Sequence, residues 1–270
     1  MSCKVLFATF RRNFIIQLRA YPKDFFIGNV LTAIYTAVSA FFMYHLLFGG
    51  QMKESFASYA GTEDYVSYVI IGNCMHLLMV RTLLNVSRSL ITELREGTLE
   101  SLMLAPFRRV QYFLGNMLQQ TATVSGEAAV MLLVCLPFGV RFVGFNGPAA
   151  LIGLVLSLAA YFSMSLILAS IMLYTRDTYI SQNTLFAVLF LICGVAFPVQ
   201  YLPEPVQWLS RGIPVTVSLD IIRNSTLRGM TAAAQLGSYV RIAAMSTVYC
   251  AVGFSLIKKV ESAALEKIFG

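Results

Sequence analysis

The chain reads as an all-α integral membrane protein, and three observations predict it. Hydrophobic residues fill 57% of its 270 positions and charged residues only 12%, which leaves more apolar surface than one water-surrounded core can hide. Mean hydropathy is +0.72. The apolar residues run continuously and do not alternate with polar ones, so a lipid-facing β-barrel is excluded and each backbone amide must find its partner within its own helix. A bilayer-crossing helix takes roughly 20 apolar residues. Six windows approach that length, at 25–48, 65–84, 113–140, 149–174, 183–198 and 238–257, the fifth being the weakest.

In chain order, residues 4–21 come first and set Phe7, Phe10, Phe14, Leu18 and Tyr21 at steps of three and four, one helical face, with Arg12 and Arg19 on the other. Such a helix lies in the membrane interface with its rings in the acyl boundary; the other reading is a plain cytosolic extension. Pro22 breaks it, so 1–24 forms a cytoplasmic interfacial helix ahead of a spanning domain at 25–257. The first span is too long and too rich in Tyr and Phe for a signal region, and is read as retained. The connection 49–64 is short and acidic-leaning, and 141–148 is a turn marked by Gly144, Gly147 and Pro148. Neither has room for an outer domain.

The stretch 198–237 differs from the other connections. Pro198, Pro203, Pro205 and Pro214 interrupt it, and its semi-apolar pieces at 206–209 and 215–222 are too short to span. Broken helices at membrane depth are tolerated only when buried in protein or facing a wet cavity. A pair of half-helices re-entering from the outer face is expected; an ordinary loop on the surface is the alternative. Residues 258–270 form a tail.

Orientation follows from Lys and Arg, which accumulate in cytoplasmic loops. With the N-terminus inside, fourteen of the 20 lie on the inner side, and Lys53, Arg141, Arg211, Arg223, Arg228 and Arg241 lie outside. Six crossings return the C-terminus to the cytoplasm, which places the chain in the inner membrane with both termini cytoplasmic. The net charge of +7 then reads as topology and as attraction to anionic membrane lipid. Nucleic acid is excluded as a partner, because no basic face with interleaved aromatics lies outside a membrane context.

Catalytic chemistry is thin. The five cysteines are scattered with no C-x-x-C, and the two histidines, His45 and His76, are not in H-E-x-x-H spacing. No metal site, no G-x-S-x-G and no phosphate-binding G-x-x-x-x-G-K-[ST] is present. The chain is not expected to be an enzyme or to bind ATP. Glu127 falls near the middle of a span, beside Gly126 and after Thr121, Thr123 and Ser125. An intramembrane carboxylate is a functional-site candidate, as proton relay or cation contact. It could equally hold the bundle by pairing with His76 or Arg81. Glu127, His76, Met75 and Met79 are the candidate substrate path, the methionines because soft thioethers suit varied apolar cargo.

The densest charge lies between the second and third spans, within 85–111, as RSLITELREGTLESLMLAPFRR from Arg88 to Arg109. Leu90, Leu94, Leu99 and Leu102 fall near helical spacing, Glu93, Arg95, Glu96 and Glu100 project charge, Gly97 and Thr98 interrupt, and Pro106 ends the run. It is either an amphipathic element that docks on a soluble partner or a solvated linker that fixes topology.

The string ELREGTLESL from Glu93, followed by Ala105-Pro106 and Arg108-Arg109, resembles the cytoplasmic segment of type 2 ABC exporter (ABC-2) permeases. Phe197-Pro198, Leu202-Pro203, Ile213-Pro214 and Ile222-Arg223 resemble that family's outer re-entrant element. The resemblance implies an assembly of two permeases, as a second copy or a paralogue, with two separate ATPase subunits that bind ATP and Mg, leaving no cofactor in this chain. It also implies that Glu93, Arg95, Glu96, Gly97, Thr98, Leu99 and Glu100 contact the ATPase. Pro198, Leu202, Pro203, Pro214 and Arg223 would form an outer gate. Polysaccharide exporters of the family tend to carry Asn-Pro at the Ile213-Pro214 position and a coupling segment less like EGTLE. The departure favours export of drugs, peptides or lipid-like molecules. A polysaccharide or lipid-linked glycan exporter, and a proton-coupled carrier using Glu127, are the alternatives.

Overall fold

The structure, a computed structural model, describes residues 3–20, 31, 34–51, 54–95, 97, 109–140, 144–175 and 180–269. Among these, all regular structure is helical. The helices are α1 (Cys3–Ala20), α2 (Ile34–Leu46), α3 (Glu54–Ala60), α4 (Tyr65–Arg95) and α5 (Arg109–Cys135), then α6 (Gly147–Thr175), α7 (Ile180–Ile192), α8 (Glu204–Arg211), α9 (Pro214–Thr226) and α10 (Leu236–Phe269).

Among the described residues, four segments are long and apolar enough to cross a membrane: Glu54–Arg88, Leu114–Phe138, Gly147–Thr175 and Leu236–Val260. They fall on the second, third, fourth and sixth sequence windows. The first and fifth windows hold shorter apolar helices, Ile34–Leu46 and Asn183–Ile192. The fifth is cut short because Gly194 turns the chain at φ 78°, a conformation that ends a helix and favours glycine. Pro198 then starts a 3-10 turn, Val199–Tyr201.

The central helix is α6, with α4, α9 and α10 packed around it, while α5 lies between α1 and α4. Apolar residues surround α6 on every side, as its burial requires. Its start is local chemistry: Asn146 Oδ1 accepts the Ala149 N–H at 3.2 Å, and Pro148 occupies the first turn, where a missing N–H costs nothing. Asp64 starts α4 in the same way, accepting the Ser67 N–H at 3.0 Å. Gly153 of α6 lets α9 approach closely, since a Cβ there would stand 2.5 Å from Ile221 Cγ2. The connection 49–64, read as a plain loop, contains α3, whose Phe56 is buried with its ring against Tyr65 and Tyr68.

On α1 the rings of Phe7, Phe10 and Phe14 stack in sequence. The helix is tied to α5 by a hydrogen bond from the Asn13 amide to Asn116 Oδ1. On α5, Asn116, Gln119, Gln120, Thr123 and Glu127 are all buried. Their spacing of three and four makes one polar stripe, of which only Thr123 and Glu127 stood out in the sequence.

Candidate functional site

Two short helices occupy the stretch where two broken pieces were expected. Pro203 precedes α8, Pro205 sits in its first turn, and Pro214 opens α9, so each proline marks a start where it is tolerated. Pro198 and Pro214 are buried, Leu202 is half-buried and Pro203 is exposed. Most of α9 is buried. A chain of hydroxyls fixes it to α6: Tyr161 and Ser218 share a hydrogen bond of 2.7 Å, and Ser218 donates to Ser157 at 2.6 Å.

The anchor of this element is Arg223, 4% exposed. Its Nη1 donates to the Gly194 carbonyl at 2.7 Å, and its Nη2 to the carbonyls of Val195 at 2.6 Å and Tyr68 at 3.1 Å. The guanidinium carbon lies 3.5 Å from the centre of the Tyr68 ring. The two carbonyls just beyond α7 are helix-end groups that need donors, and a cation there is favoured by the helix dipole. One side chain of α9 thus joins the end of α7 to the first turns of α4. Room for it comes from Gly72 of α4, where a Cβ would stand 2.2 Å from the Val195 oxygen and 2.4 Å from Arg223 Nη2. Resemblance pointed to Arg223; nothing local in the sequence pointed to Tyr68, Gly72 or Gly194.

Beside Arg223 lies a mostly polar cavity of about 300 Å³, lined also by Arg211, Asp220, Arg228 and Arg241. Asp220, exposed on α9, is the carboxylate that faces the guanidiniums of Arg223, Arg228 and Arg241. A larger opening, about 720 Å³, lies between α2, the start of α4 and the turn after α5; it is lined by residues including Phe41, His45, Asp64 and Phe138.

Glu127 finds Arg81, whose Nε stands 3.4 Å from its carboxylate. The pair is lopsided, with Arg81 45% exposed and Glu127 2%. Of the two partners considered from sequence, the structure brings in Arg81. His76 instead sets its ring edge-on against Phe190 of α7, centres 5.2 Å apart. Met75 and Met79 are buried in the main core. Glu93 and Arg95 end α4, but their side chains, like Glu96, Thr98, Leu99 and Glu100, lie outside the described residues; Gly97 has φ 70°.

Residues 5–227, from α1 to just beyond α9, match the family described as ABC-2 type transporter. The matched region includes both the charged segment after α4 and the arginine-anchored α9. No curated protein matches the chain. With the match extending over most of its length, the chain belongs to the ABC-2 type transporter family.

Proposed function

We propose that this chain is the permease subunit of an ATP-driven exporter moving a hydrophobic or amphipathic substrate, such as a drug, peptide or lipid-like molecule, outward across the inner membrane. Members of the family are transporter components that generally work with an ABC ATPase. The observation that carries the reading is the family match, because it covers both segments the mechanism needs. In the proposed assembly two permeases, identical or paralogous, each cross the membrane six times and pair with two ATPases that hold ATP and Mg.

Geometry supports a route for the conformational work. The 31 residues of α4 form one helix, about 45 Å long at 1.5 Å per residue. Its outer turns, at Tyr68 and Gly72, grip Arg223; its other end runs into Glu93, Arg95 and the coupling segment through Glu100. Closure of the ATPases on that segment would tilt α4 and carry α9 and the outer gate with it, shifting the bundle between two states by differential binding. The proposed gate comprises Pro198, Leu202, Pro203, Pro214 and Arg223.

The test is purification of the full chain from native membranes in mild detergent, with copurifying proteins identified and ATP hydrolysis assayed. A stoichiometric ATPase is expected, lost when Glu96→Lys and Glu100→Lys are combined although membrane insertion is normal. Recovery of the chain alone, with transport driven by a proton gradient, would overturn the reading and favour a carrier built on Glu127.

A further inference from the structure

We propose that the cavity enclosed by α8, α9 and the start of α10 binds a phosphate-class oxyanion, held by Arg211, Arg223, Arg228 and Arg241. Four guanidiniums and one carboxylate, Asp220, line it, an excess of three positive charges in about 300 Å³. Arg223 carries the argument furthest. It is 4% exposed, and its Nε–H has no acceptor among the described residues. Its hydrogen bonds go to carbonyl oxygens and its face lies on the Tyr68 ring, and Asp220 is the one carboxylate among the cavity residues that acts on its charge. Buried charges are paired in native proteins or cost heavily, and an oxyanion in the cavity would supply the negative charge that one carboxylate shared among four guanidiniums does not.

The other three arginines are positioned by contacts with backbone and ring, with Asp220 the carboxylate that acts on Arg228 and Arg241. Arg241 donates to the Arg211 carbonyl at 2.7 Å, Arg228 reaches the Tyr59 carbonyl at 3.4 Å, and Arg211 lies 5.6 Å from the Trp208 ring centre. Donors fixed this way keep N–H groups for a ligand. Solitary exposed arginines at a membrane edge would be unremarkable topology charges, but these converge on one cavity with a buried fourth. Forked guanidiniums match a tetrahedral, multiply charged oxyanion. The shared chemistry is a phosphate group, whether free or on a lipid headgroup. Trp208 and Leu209, exposed beside the cavity on α8, give acyl chains an apolar edge in the second case.

Trp208 is the single tryptophan of the chain and reports on the cavity through Arg211, whose guanidinium lies 5.6 Å from its ring centre. The full-length chain in a phosphate-free maltoside micelle is titrated with inorganic phosphate and, separately, with dihexanoyl phosphatidylglycerol, against chloride at matched ionic strength. A saturable change in Trp208 emission is expected. The Kd should rise roughly tenfold for each of Arg211→Gln and Arg241→Gln, exposed positions where glutamine is tolerated. In Asp220→Asn it should fall several-fold, because a competing negative charge is removed; this opposite shift is not produced by misfolding. Saturation by inorganic phosphate identifies the free anion as sufficient, and saturation by the lipid alone identifies a headgroup site. No response beyond that of chloride, or a Kd unchanged in all three variants, overturns the proposal. Binding is read without any ATPase, so its failure and that of the export reading are separable.

Discussion

Replacing Arg223 by methionine tests whether one guanidinium holds α9 to α4 and to the end of α7. The side chain donates at 2.7, 2.6 and 3.1 Å to the carbonyls of Gly194, Val195 and Tyr68. The Tyr68 carbonyl keeps its ladder partner within α4, and the Gly194 carbonyl keeps the Tyr68 hydroxyl, which donates to it at 3.4 Å, so the substitution strips the donor from Val195. A stripped carbonyl costs about 1–3 kcal/mol, and loss of the cation stacked on Tyr68 up to about 2 kcal/mol. Relief of guanidinium desolvation returns part of this, leaving a net loss of about 2 kcal/mol. In a chain of this size each kcal/mol moves Tm by about 2–4 °C. Thermal unfolding of the detergent-purified chain, followed through Trp208 on the adjoining α8, should show a fall of about 4–8 °C. Arg223→Lys should recover less than half, because a point charge cannot serve three divergent carbonyls. A methionine variant melting within about 2 °C of the parent, or a lysine variant equal to arginine, would refute the anchoring argument.

At Gly153, a Cβ would stand 2.5 Å from Ile221 Cγ2. Gly153→Val should therefore cost about 1–3 kcal/mol, and at least half of that should vanish in an Ile221→Ala background, as read by a double-mutant cycle of melting temperatures. For the pair on α4 and α5, Arg81→Gln should lower Tm more than Glu127→Gln. The first removes a cation 3.4 Å from a 2% exposed carboxylate, whereas the second leaves a 45% exposed arginine able to reach water. Equal losses would show that burial asymmetry does not govern the pair.

Several features were legible because their causes are local. The bilayer requires each spanning helix to satisfy its own backbone over a fixed length, so four of the six windows coincide with helices long enough to cross. Gly144, Gly147 and Pro148 mark the turn before α6, and the prolines of 198–237 mark where α8 and α9 begin. The charged run after α4 stood out by composition and led to the family. Glu127 stood out as a costly carboxylate, but its partner could not be chosen between His76 and Arg81, since both lie on α4 and the decision depends on how α4 rotates against α5.

Tertiary structure decided what distance along the chain concealed. The carbonyls of Gly194 and Tyr68, 29 and 155 residues from Arg223, carry no local signal, and Gly72 acquires its role only when Val195 and Arg223 arrive against it. Arg211, Arg228 and Arg241 read one by one as isolated charges on the outer side, and Arg223 as a gate residue by resemblance. Folding gathers them around one cavity with a single carboxylate. Sequence by itself determined the solvent, the helices and the family, because those follow from periodicity, length and local turn residues; only the packing of α4, α7, α8, α9 and α10 determined which charges meet.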